Sequence, residues 1–335
     1  MNAHSDIKVE LSGMAHSNLT ASTEEMRLMT KVAYLYYHQH LKQTEVADRL
    51  DLSQATVSRL LKRAEEAGIV RISVNTPAGV YTELENELCA RYGLKAAVVV
   101  HCDEENDELI IHHIGSAAAY YVETTISKDE VVGLSSWSSA LLAMVNAMHP
   151  LAKPTNATVV QILGGIGNPS AEVYASRITE RFASLVSGEA VYLPAPGVVS
   201  SGDIRSELLK DPFIGEAAAL FDQVTLALVG IGSIEPSKLL ASSGNVFSAE
   251  ELELLREASA VGDICLRFFD RTGIPTMTPL DSRVISITLE QLRSARRSVG
   301  VAGGLRKTHA IQGALQGGWI NVLITDQRTA TRLMN

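Results

Sequence analysis

The stretch Gln43–Val70, which reads QTEVADRLDLSQATVSRLLKRAEEAGIV, constrains the fold of this chain more than any other segment. Its first part predicts a short helix that places Val46 and Leu50 on one apolar face. A break follows at Asp51-Leu52, and Ser53 stands where it can cap a second, longer helix. Two helices joined by a tight turn predict a helix-turn-helix motif, in which the second helix reads the major groove of DNA.

The second predicted helix has an apolar face, formed by Val57, Leu60 and Leu61, and an opposite face that is polar and basic. Arginine can bind guanine O6 and N7 bidentately, whereas phosphate contacts position a module without reading sequence. The predicted DNA-contacting residues are Gln54, Thr56, Ser58 and Arg59 for base edges and Thr44, Lys62 and Arg63 for phosphates. The alternative is a helical hairpin that only packs or dimerises; the chemistry of the polar face favours DNA binding.

The net charge of −9 belongs to the C-terminal part of the chain. Residues 21–75 contain eight Lys and Arg against seven Asp and Glu, whereas residues 76–335 contain twenty against twenty-nine. Phosphate binding depends on the local charge, so the acidity of the whole chain does not exclude a nucleic-acid partner. A local excess of one positive charge is nevertheless small. We therefore expect tight DNA binding to require two or more copies held together.

The sequence gives no indication of a membrane, a secretory signal or a metal site. No apolar run reaches the roughly 18–20 residues of a membrane-spanning helix, and the polar N-terminus lacks the order of a secretory signal. Cys89, Cys102 and Cys265 form neither a disulfide framework nor a Cys-x-x-Cys site, and the adjacent His112 and His113 lack a chelating partner. We expect a cytoplasmic protein with no membrane partner, no metal and no cofactor.

The apolar pattern changes along the chain and predicts a small N-terminal domain followed by a larger one. A helix from Thr23 supports the helix-turn-helix motif, and the alternating residues 69–74 predict a strand that forms a wing. The predicted divisions are a mobile tail (1–20), a winged helix-turn-helix domain (21–75), a linker with a connector helix (76–92) and a large second domain (93–335).

The second domain alternates strand and helix patterns, which predicts a doubly wound α/β fold. Near-continuous apolar runs at 96–100, 158–163 and 224–229 are typical of buried parallel strands. The predicted strands are Ala96–Val100, Glu130–Gly133, Thr158–Leu163, Ala190–Leu193, Val224–Val229, Asp263–Phe269, Val284–Thr288 and Ile320–Ile324. The predicted helices are Leu109–Thr125, Ser139–Met148, Ala171–Val186, Ala249–Ala258 and Lys307–Leu315.

Ligands of such sheets bind where strands end and helices begin, and several of these junctions are rich in polar residues. The loop Ser135–Ser139 offers hydroxyls and backbone N–H groups at a helix N-terminus, which suits a phosphate or carboxylate, although the serines can also simply cap the helix. Lys307 begins a helix, where a cation opposes the helix dipole, so it calls for an anionic ligand or is a solvated surface lysine. Asp263 either accepts hydrogen bonds from sugar hydroxyls or simply ends a strand.

Taken together, these residues resemble the SorC family of bacterial sugar-responsive transcriptional regulators. The resemblance covers about residues 23–334 and is most specific in QTEVADRLDLSQATVSRLLKRAEEAGIVRI and in VAGGLRKTHAIQGALQGGWINVLITDQRTATRL; GLSSWSSALL and GDICLRFFD also match. It implies a winged helix-turn-helix joined to an effector domain similar to phosphosugar isomerases and deaminases. It also implies a phosphorylated sugar effector, a tetramer, and an operator affinity that the effector changes.

The resemblance assigns roles to residues of the second domain. The implied effector-binding residues are Ser135, Ser136, Ser138 and Ser139 in a phosphate loop, Gly164 and Gly165 in a glycine loop, Asp263 as the acidic sugar contact and Lys307 as the basic contact. Many members have Trp-Gly followed closely by Thr in the phosphate loop, whereas here Ser138 and Ala140 stand at those positions and change the anion cradle.

The predicted function is therefore regulation of a carbohydrate or polyol catabolic operon, with double-stranded operator DNA, a sugar, sugar phosphate or polyol, and further copies of the chain as partners. A sugar-phosphate isomerase or deaminase that uses the same pocket is the alternative, although no acid–base constellation stands out around the loops. A protein-binding scaffold would leave the glycine and serine loops unexplained.

Overall fold

The structure of the protein is a computed structural model that describes residues 23–70, 79–102 and 106–335. The chain divides into two compact units, Met1–Asn75 and Thr76–Asn335. The predicted tail (1–20), most of the predicted wing strand (69–74) and the start of the predicted linker lie outside the described residues. Within the described residues, no helix is both long enough and apolar enough to span a bilayer.

The described part of the first unit consists of helices α1 (residues 23–33), α2 (Gln43–Leu50) and α3 (Gln54–Glu66), and a π-helical segment, Tyr34–His38, extends α1. Asp51 ends α2 in the left-handed conformation at φ 51°, which Asp tolerates better than most residues. Ser53 Oγ accepts a hydrogen bond from the Thr56 N–H, so the predicted N-cap of α3 is confirmed. The buried apolar side chains of this unit are Met29, Val32, Ala33, Leu35, Val46, Ala47, Val57, Leu60, Leu61 and Ala64.

The second unit contains two sheets and the helices that cover them. Its helices are α4 (Thr82–Tyr92), α5 (Asp107–Thr125), α6 (Ser139–Ala147), α7 (Pro169–Val186), α8 (Gly202–Leu208), α9 (Pro212–Ala219), α10 (Lys238–Ser243), α11 (Ala249–Glu257), α12 (Leu289–Ser294), α13 (Thr308–Gln316) and α14 (Gln327–Met334). Its strands are β1 (Ala96–Val100), β2 (Val131–Leu134), β3 (Thr158–Gln161), β4 (Glu189–Val191), β5 (Leu226–Gly230), β6 (Gly232–Ser233), β7 (Gly262–Ile264), β8 (Arg267–Phe269), β9 (Arg297–Val301) and β10 (Val322–Asp326). Short 3₁₀ helices lie at Leu220–Gln223, Pro279–Arg283 and Leu305–Lys307.

The larger sheet has seven strands in the order β1-β10-β9-β5-β2-β3-β4, and all its pairings are parallel. The chain runs outward from β2 through β3 to β4 and then returns to β5 on the other side of β2. This reversal makes a topological switch point between β2 and β5, where the two following connections leave in opposite directions. Open α/β sheets bind ligands beyond the carboxyl ends of their strands at such a point.

Helices cover both faces of the larger sheet, as the doubly wound prediction requires. Successive side chains of β5 point to opposite faces: Leu226 and Leu228 pack with α5, α6 and α7, whereas Ala227 and Val229 pack with helices that include α13 and α14. These β5 side chains are fully buried, which explains why a parallel strand covered on both sides lacks polar alternation.

Two strand predictions were wrong, and two strands were missed. The segment Asp263–Phe269 is not one strand, because Cys265 and Leu266 have φ of 53° and 62° and form the two-residue loop of a hairpin between β7 and β8. Val284–Thr288 joins neither sheet of the second unit and makes only isolated bridges. The Arg267 guanidinium holds this segment instead, donating to Val284 O at 3.1 Å. The missed strands are β9, which pairs with β5 and β10, and the two-residue β6, which pairs with β7.

The predicted connector helix is α4, and it packs as part of the second unit. Leu88 is fully buried in the core on one face of the larger sheet, and Tyr81, Leu84 and Tyr92 pack against that core. Gly93 ends α4 in the left-handed conformation at φ 66°. The boundary between the two units therefore lies before α4.

Candidate functional site

A cavity of about 740 Å³ lies beyond the carboxyl ends of β2, β5 and β9, at the topological switch point. Loops that follow these three strands line it, together with the start of α5 and the hairpin between β7 and β8. The predicted site residues that line it are Ser135, Ser138, Ser139, Asp263 and Lys307. Ser136, Gly164 and Gly165 are not among the described residues that line it.

Lys307 is a partly buried cation on the cavity wall. Its Nζ donates a hydrogen bond to Ile231 O at 2.9 Å, and in the described part of the chain it has no carboxylate as a hydrogen-bond partner. Burial lowers the pKa of Lys307 below its ordinary value; Arg306 lowers it further, and Asp263 opposes the shift. An anion entering the cavity would stabilise this charge, which the protein itself leaves incompletely compensated.

Asp263 is a buried carboxyl group on the same cavity, 7% exposed. Its Oδ2 accepts a hydrogen bond from the Leu266 N–H at 2.9 Å, across the hairpin loop. Burial raises the pKa of Asp263 to about 6, while the Leu266 hydrogen bond and the charge of Lys307 lower it. A Cβ at Gly232 would lie 2.0 Å from Asp263 Oδ1, so only glycine fits opposite this carboxylate.

The serine loop has both a structural and a cavity-lining role. Ser138 Oγ accepts a hydrogen bond from the Leu141 N–H at 3.3 Å and caps α6, and it also faces the cavity. The Ser135 hydroxyl interacts with the Cys265 thiol, whose pKa burial raises to about 12. Ser136 is 1% exposed, and its Oγ has no hydrogen-bond partner among the described residues. Ser136 is not among the described residues that line the cavity, whereas the resemblance implies that it contacts a phosphate.

The glycine loop supports the cavity from behind. Gly164 O accepts a hydrogen bond from Trp137 Nε1 at 2.9 Å, and the Trp137 side chain lines the cavity. A Cβ at Gly164 would lie 2.4 Å from the Pro196 backbone, so glycine is needed here for close backbone packing. Leu163 is the residue of this segment that reaches the cavity. The Gly164 carbonyl therefore positions Trp137, and the ligand contacts that the resemblance implies for Gly164 and Gly165 stay a prediction.

The mouth of the cavity has charged residues that the sequence patterns did not single out. Arg306 pairs with Asp107 at 2.9 Å, and both side chains are about half exposed. Lys238, at the start of α10, also lines the cavity. Arg306 could have been predicted as a cavity residue from the sequence, because it is adjacent to Lys307. The approach of Asp107 could not be predicted from the sequence, because it depends on how α5 packs on β1, β10 and β9, which are adjacent only in the folded sheet.

The polar face of α3 is open to solvent. Of the predicted DNA-contacting residues, Thr44, Gln54, Ser58, Arg59, Lys62 and Arg63 are exposed and Thr56 is half-buried. The Thr56 hydroxyl hydrogen-bonds to Ser53 at 2.8 Å and accepts a bond from Arg59 at 3.3 Å. Arg63 forms an ion pair with Glu25 of α1, which lowers the pKa of that carboxyl. Arg59 is therefore freer than Arg63 to contact a base.

Comparisons with known proteins agree with this two-unit arrangement. Residues 77–335 match the family model described as "Putative sugar-binding domain", and residues 32–77 match the MarR family model. The chain is 31% identical over 315 residues to the sorbitol operon regulator of Klebsiella pneumoniae, covering 93% of this chain and 99% of that protein. The chain belongs to the SorC family of transcriptional regulators. It is a DNA-binding regulator that responds to a sugar effector.

Other similar proteins and structures support the same conclusion. The chain is 36% identical over 312 residues to the deoxyribonucleoside regulator of Bacillus subtilis (strain 168), covering 93% of this chain and 98% of that protein. The crystal structure of the full-length sorbitol operon regulator SorC from Klebsiella pneumoniae superposes with a TM-score of 0.70 at 30% identity, covering 93% and 100% of the two chains. A structure described as "Putative sugar-binding domain of transcriptional regulator DeoR" from Pseudomonas syringae pv. tomato is 41% identical with a TM-score of 0.59, covering 76% and 99% of the two chains.

Proposed function

We propose that the effector is a phosphorylated sugar or polyol, bound in the switch-point cavity. Its anionic group contacts Lys307 and the hydroxyls of Ser138 and Ser139, and one of its hydroxyls donates a hydrogen bond to Asp263. The observation that carries this proposal is the partly buried Lys307 ammonium, which has a backbone carbonyl rather than a carboxylate as its hydrogen-bond acceptor. A neutral ligand would leave that charge uncompensated, whereas a phosphate would pair with it.

The start of α6 supports the same orientation of the effector. The N-terminus of this helix lies at Ser138 and Ser139, where free N–H groups and the helix dipole favour negative charge. The charge of Lys307 reaches the same cavity from the connection between β9 and α13. Two independent elements thus favour an anion in the same cavity, and the uncharged wall around Trp137 leaves room for the sugar ring.

At the level of the operon, we propose that this cytoplasmic regulator assembles as a homotetramer and controls carbohydrate or polyol catabolism. Effector binding shifts the population between arrangements that bind the operator well and poorly. The names of the similar regulators, which refer to deoxyribonucleosides and sorbitol, support this class of operon. We also propose that the cavity binds its ligand without turnover. Conversion of a sugar phosphate by the purified protein would favour the isomerase or deaminase alternative instead.

A thermal-shift screen tests the effector class. The panel pairs neutral compounds with their phosphates: ribose, deoxyribose, glucose and sorbitol against the corresponding monophosphates. A ligand at 100 times its Kd adds about 2.7 kcal/mol to the free energy of unfolding, so the correct compound raises the melting temperature by several degrees. We expect a phosphorylated member of a pair to stabilise the protein and its neutral partner to have little effect.

The matched variants for this screen are Lys307→Met and Lys153→Met. The first removes the cavity cation while keeping a side chain of similar length, and we expect it to abolish the stabilisation by sugar phosphates. The second removes an exposed lysine outside the cavity and should leave the stabilisation unchanged. Equal stabilisation of wild type and Lys307→Met, or stabilisation by neutral sugars alone, would contradict the proposed phosphate contact.

A further inference from the structure

The turn Gly303–Lys307 determines where the cavity cation lies. It follows β9, and Gly303, Arg306 and Lys307 all line the cavity. Gly304 has φ 93°, a conformation that side-chain-bearing residues rarely adopt, so its geometry needs support from the surrounding structure. Because Lys307 is only three residues further on, a change at Gly304 would move the ammonium relative to Ser138 and Ser139.

Two buried side chains of another element hold this turn in place. The Gly304 N–H donates hydrogen bonds to Asp326 Oδ2 at 2.8 Å and to Thr329 Oγ1 at 3.0 Å. The Thr329 hydroxyl donates to the same Asp326 Oδ2 at 2.6 Å, so the three groups form a closed set of hydrogen bonds. Asp326 is 1% exposed and Thr329 is fully buried. Water therefore does not compete for these bonds, and losing one of them leaves a polar group unpaired.

The fit of this carboxylate against the turn is close. A Cβ at Gly303 would lie 2.6 Å from Asp326 Oδ2, so the carboxylate occupies the space that a side chain would take. Asp326 ends β10, which pairs in parallel with β9 through Ile324 and Val301, and this pairing brings the two strand ends side by side. Neither Asp326 nor Thr329 is among the described residues that line the cavity. Any effect on the ligand must therefore pass through the turn.

We propose that Asp326 and Thr329 are positioning residues for the effector site: they fix the Gly303–Lys307 turn so that Lys307 meets the anionic group of the ligand. The inference rests on the proposed function, since it presumes an anion at Lys307. Asp326 thus contributes to ligand binding without touching the ligand.

A purely structural role for Asp326 as a helix cap explains only part of this arrangement. Asp326 is the N-cap of α14, and its Oδ1 accepts the Thr329 N–H at 3.0 Å. The cap uses Oδ1, whereas the bonds to Gly304 and to the Thr329 hydroxyl use Oδ2. The two functions therefore reside on different oxygens, and the Thr329 hydroxyl belongs only to the second. Substitutions at Thr329 can separate them.

The test measures binding of inorganic phosphate to the full-length protein by calorimetric titration, for wild type and three variants. Thr329→Val keeps the volume of the buried side chain but removes the hydroxyl, whereas Thr329→Ser keeps the hydroxyl and loses a methyl group. Asp326→Asn keeps the shape of the cap and removes the charge. Glu130→Gln is the matched control, because Glu130 is a carboxylate only 3% exposed that pairs with Arg296 and Arg297 before the start of β2, at the opposite end of the sheet.

We expect Thr329→Val and Asp326→Asn to weaken phosphate binding about fivefold to tenfold, which is the scale of one lost buried hydrogen bond. Thr329→Ser and Glu130→Gln should stay within about twofold of wild type, whatever their melting temperatures. A structural role alone predicts instead that phosphate affinity follows stability and packing, so that Thr329→Ser binds phosphate no more tightly than Thr329→Val.

If Thr329→Val binds phosphate as well as Thr329→Ser, the inference is overturned. The comparison of these two variants decides the question even if Asp326→Asn fails to fold. If wild type binds neither phosphate nor any sugar phosphate, the proposed function itself fails.

Discussion

At the scale of single residues, the cavity combines two titratable groups, Asp263 and Lys307, whose pKa values are shifted in opposite directions by their surroundings. Burial raises the pKa of Asp263 and lowers the pKa of Lys307, so each charged form is less favourable than in water. Their mutual attraction only partly offsets these costs. Such a pair is destabilising in the free protein, and a ligand that hydrogen-bonds to both groups recovers part of that free energy on binding.

Asp263 is expected to make the stability of the protein depend on pH. Its pKa in the folded protein is about 6. This is higher than the value of about 4 in an unfolded chain, so between about pH 4 and pH 6 the folded protein keeps a proton that the unfolded chain has lost. The contribution of this residue to stability is therefore present below about pH 4 and falls as the pH rises, by roughly 3 kcal/mol in all above pH 6.

Asp263→Asn should remove this contribution, because the amide keeps an acceptor for the Leu266 N–H and does not titrate. Urea unfolding at pH 4.5 and at pH 7.5 is the measurement. Compared with wild type, the variant should have a higher free energy of unfolding at pH 7.5 than at pH 4.5. If the difference between the two proteins is the same at both pH values, Asp263 does not have the raised pKa described above.

At the scale of elements, α3 and the hairpin between β7 and β8 show how local chemistry orients functional side chains. The Ser53 cap fixes where α3 begins, and the buried Val57 and Leu61 then turn Ser58 and Arg59 outward. In the hairpin, positive φ at Cys265 and Leu266 reverses the chain, and the Leu266 N–H then donates a hydrogen bond to Asp263 on the cavity wall. Both elements are short, and each relies on one specific loop for its geometry.

Arg59 is the α3 residue whose loss should affect operator recognition most. Arg59→Ala is expected to reduce affinity about 10-fold to 100-fold for an upstream DNA fragment that the wild-type protein retards in a gel, because one bidentate arginine–guanine contact is lost. Lys210→Ala, which removes an exposed cation from the second unit, serves as the control for charge. Both variants should keep the oligomeric state of wild type. Retained operator affinity in Arg59→Ala would rule out Arg59 as a base-reading residue.

At the scale of the whole molecule, the distribution of charge leads us to expect that DNA binding depends on assembly. The acidic second unit contributes nothing to phosphate attraction, and the local excess of one positive charge in residues 21–75 is small. Affinity for DNA rises with the number of phosphates that a complex neutralises. Several copies of α3 held together can therefore bind an operator that a single copy would not retain.

Assembly should be visible without DNA. We expect sedimentation of the free protein to give a mass of four times 36.0 kDa, and dilution below the dissociation range to reduce operator retention more steeply than a single-site isotherm. A titration of the protein into labelled operator at several concentrations of salt provides the measurement. A monomer that binds its operator tightly, with a single-site isotherm, would contradict this dependence.

Much of the fold could be predicted from local patterns. The helix-turn-helix and its Ser53 cap depend on neighbours within a few residues, and the buried strands β1 and β5 are apolar enough to be recognised alone. The strand β9 and the segment Val284–Thr288 could not be distinguished in this way. Both are short and partly apolar, and only the tertiary structure decides that β9 is the one that pairs with β5 and β10.

The sequence by itself determined which chemical groups are present: the serines that follow β2, Asp263, Lys307 and the basic face of α3. Tertiary structure decided which of these groups meet. The strand order brings Ser138 and Lys307 to one cavity, places the Gly164 carbonyl against Trp137 Nε1, and sets Asp326 against Gly304. The physical reason is that patterns of residues encode neighbours along the chain, whereas a site at the switch point is made by strands that are distant in sequence and adjacent only in the folded sheet.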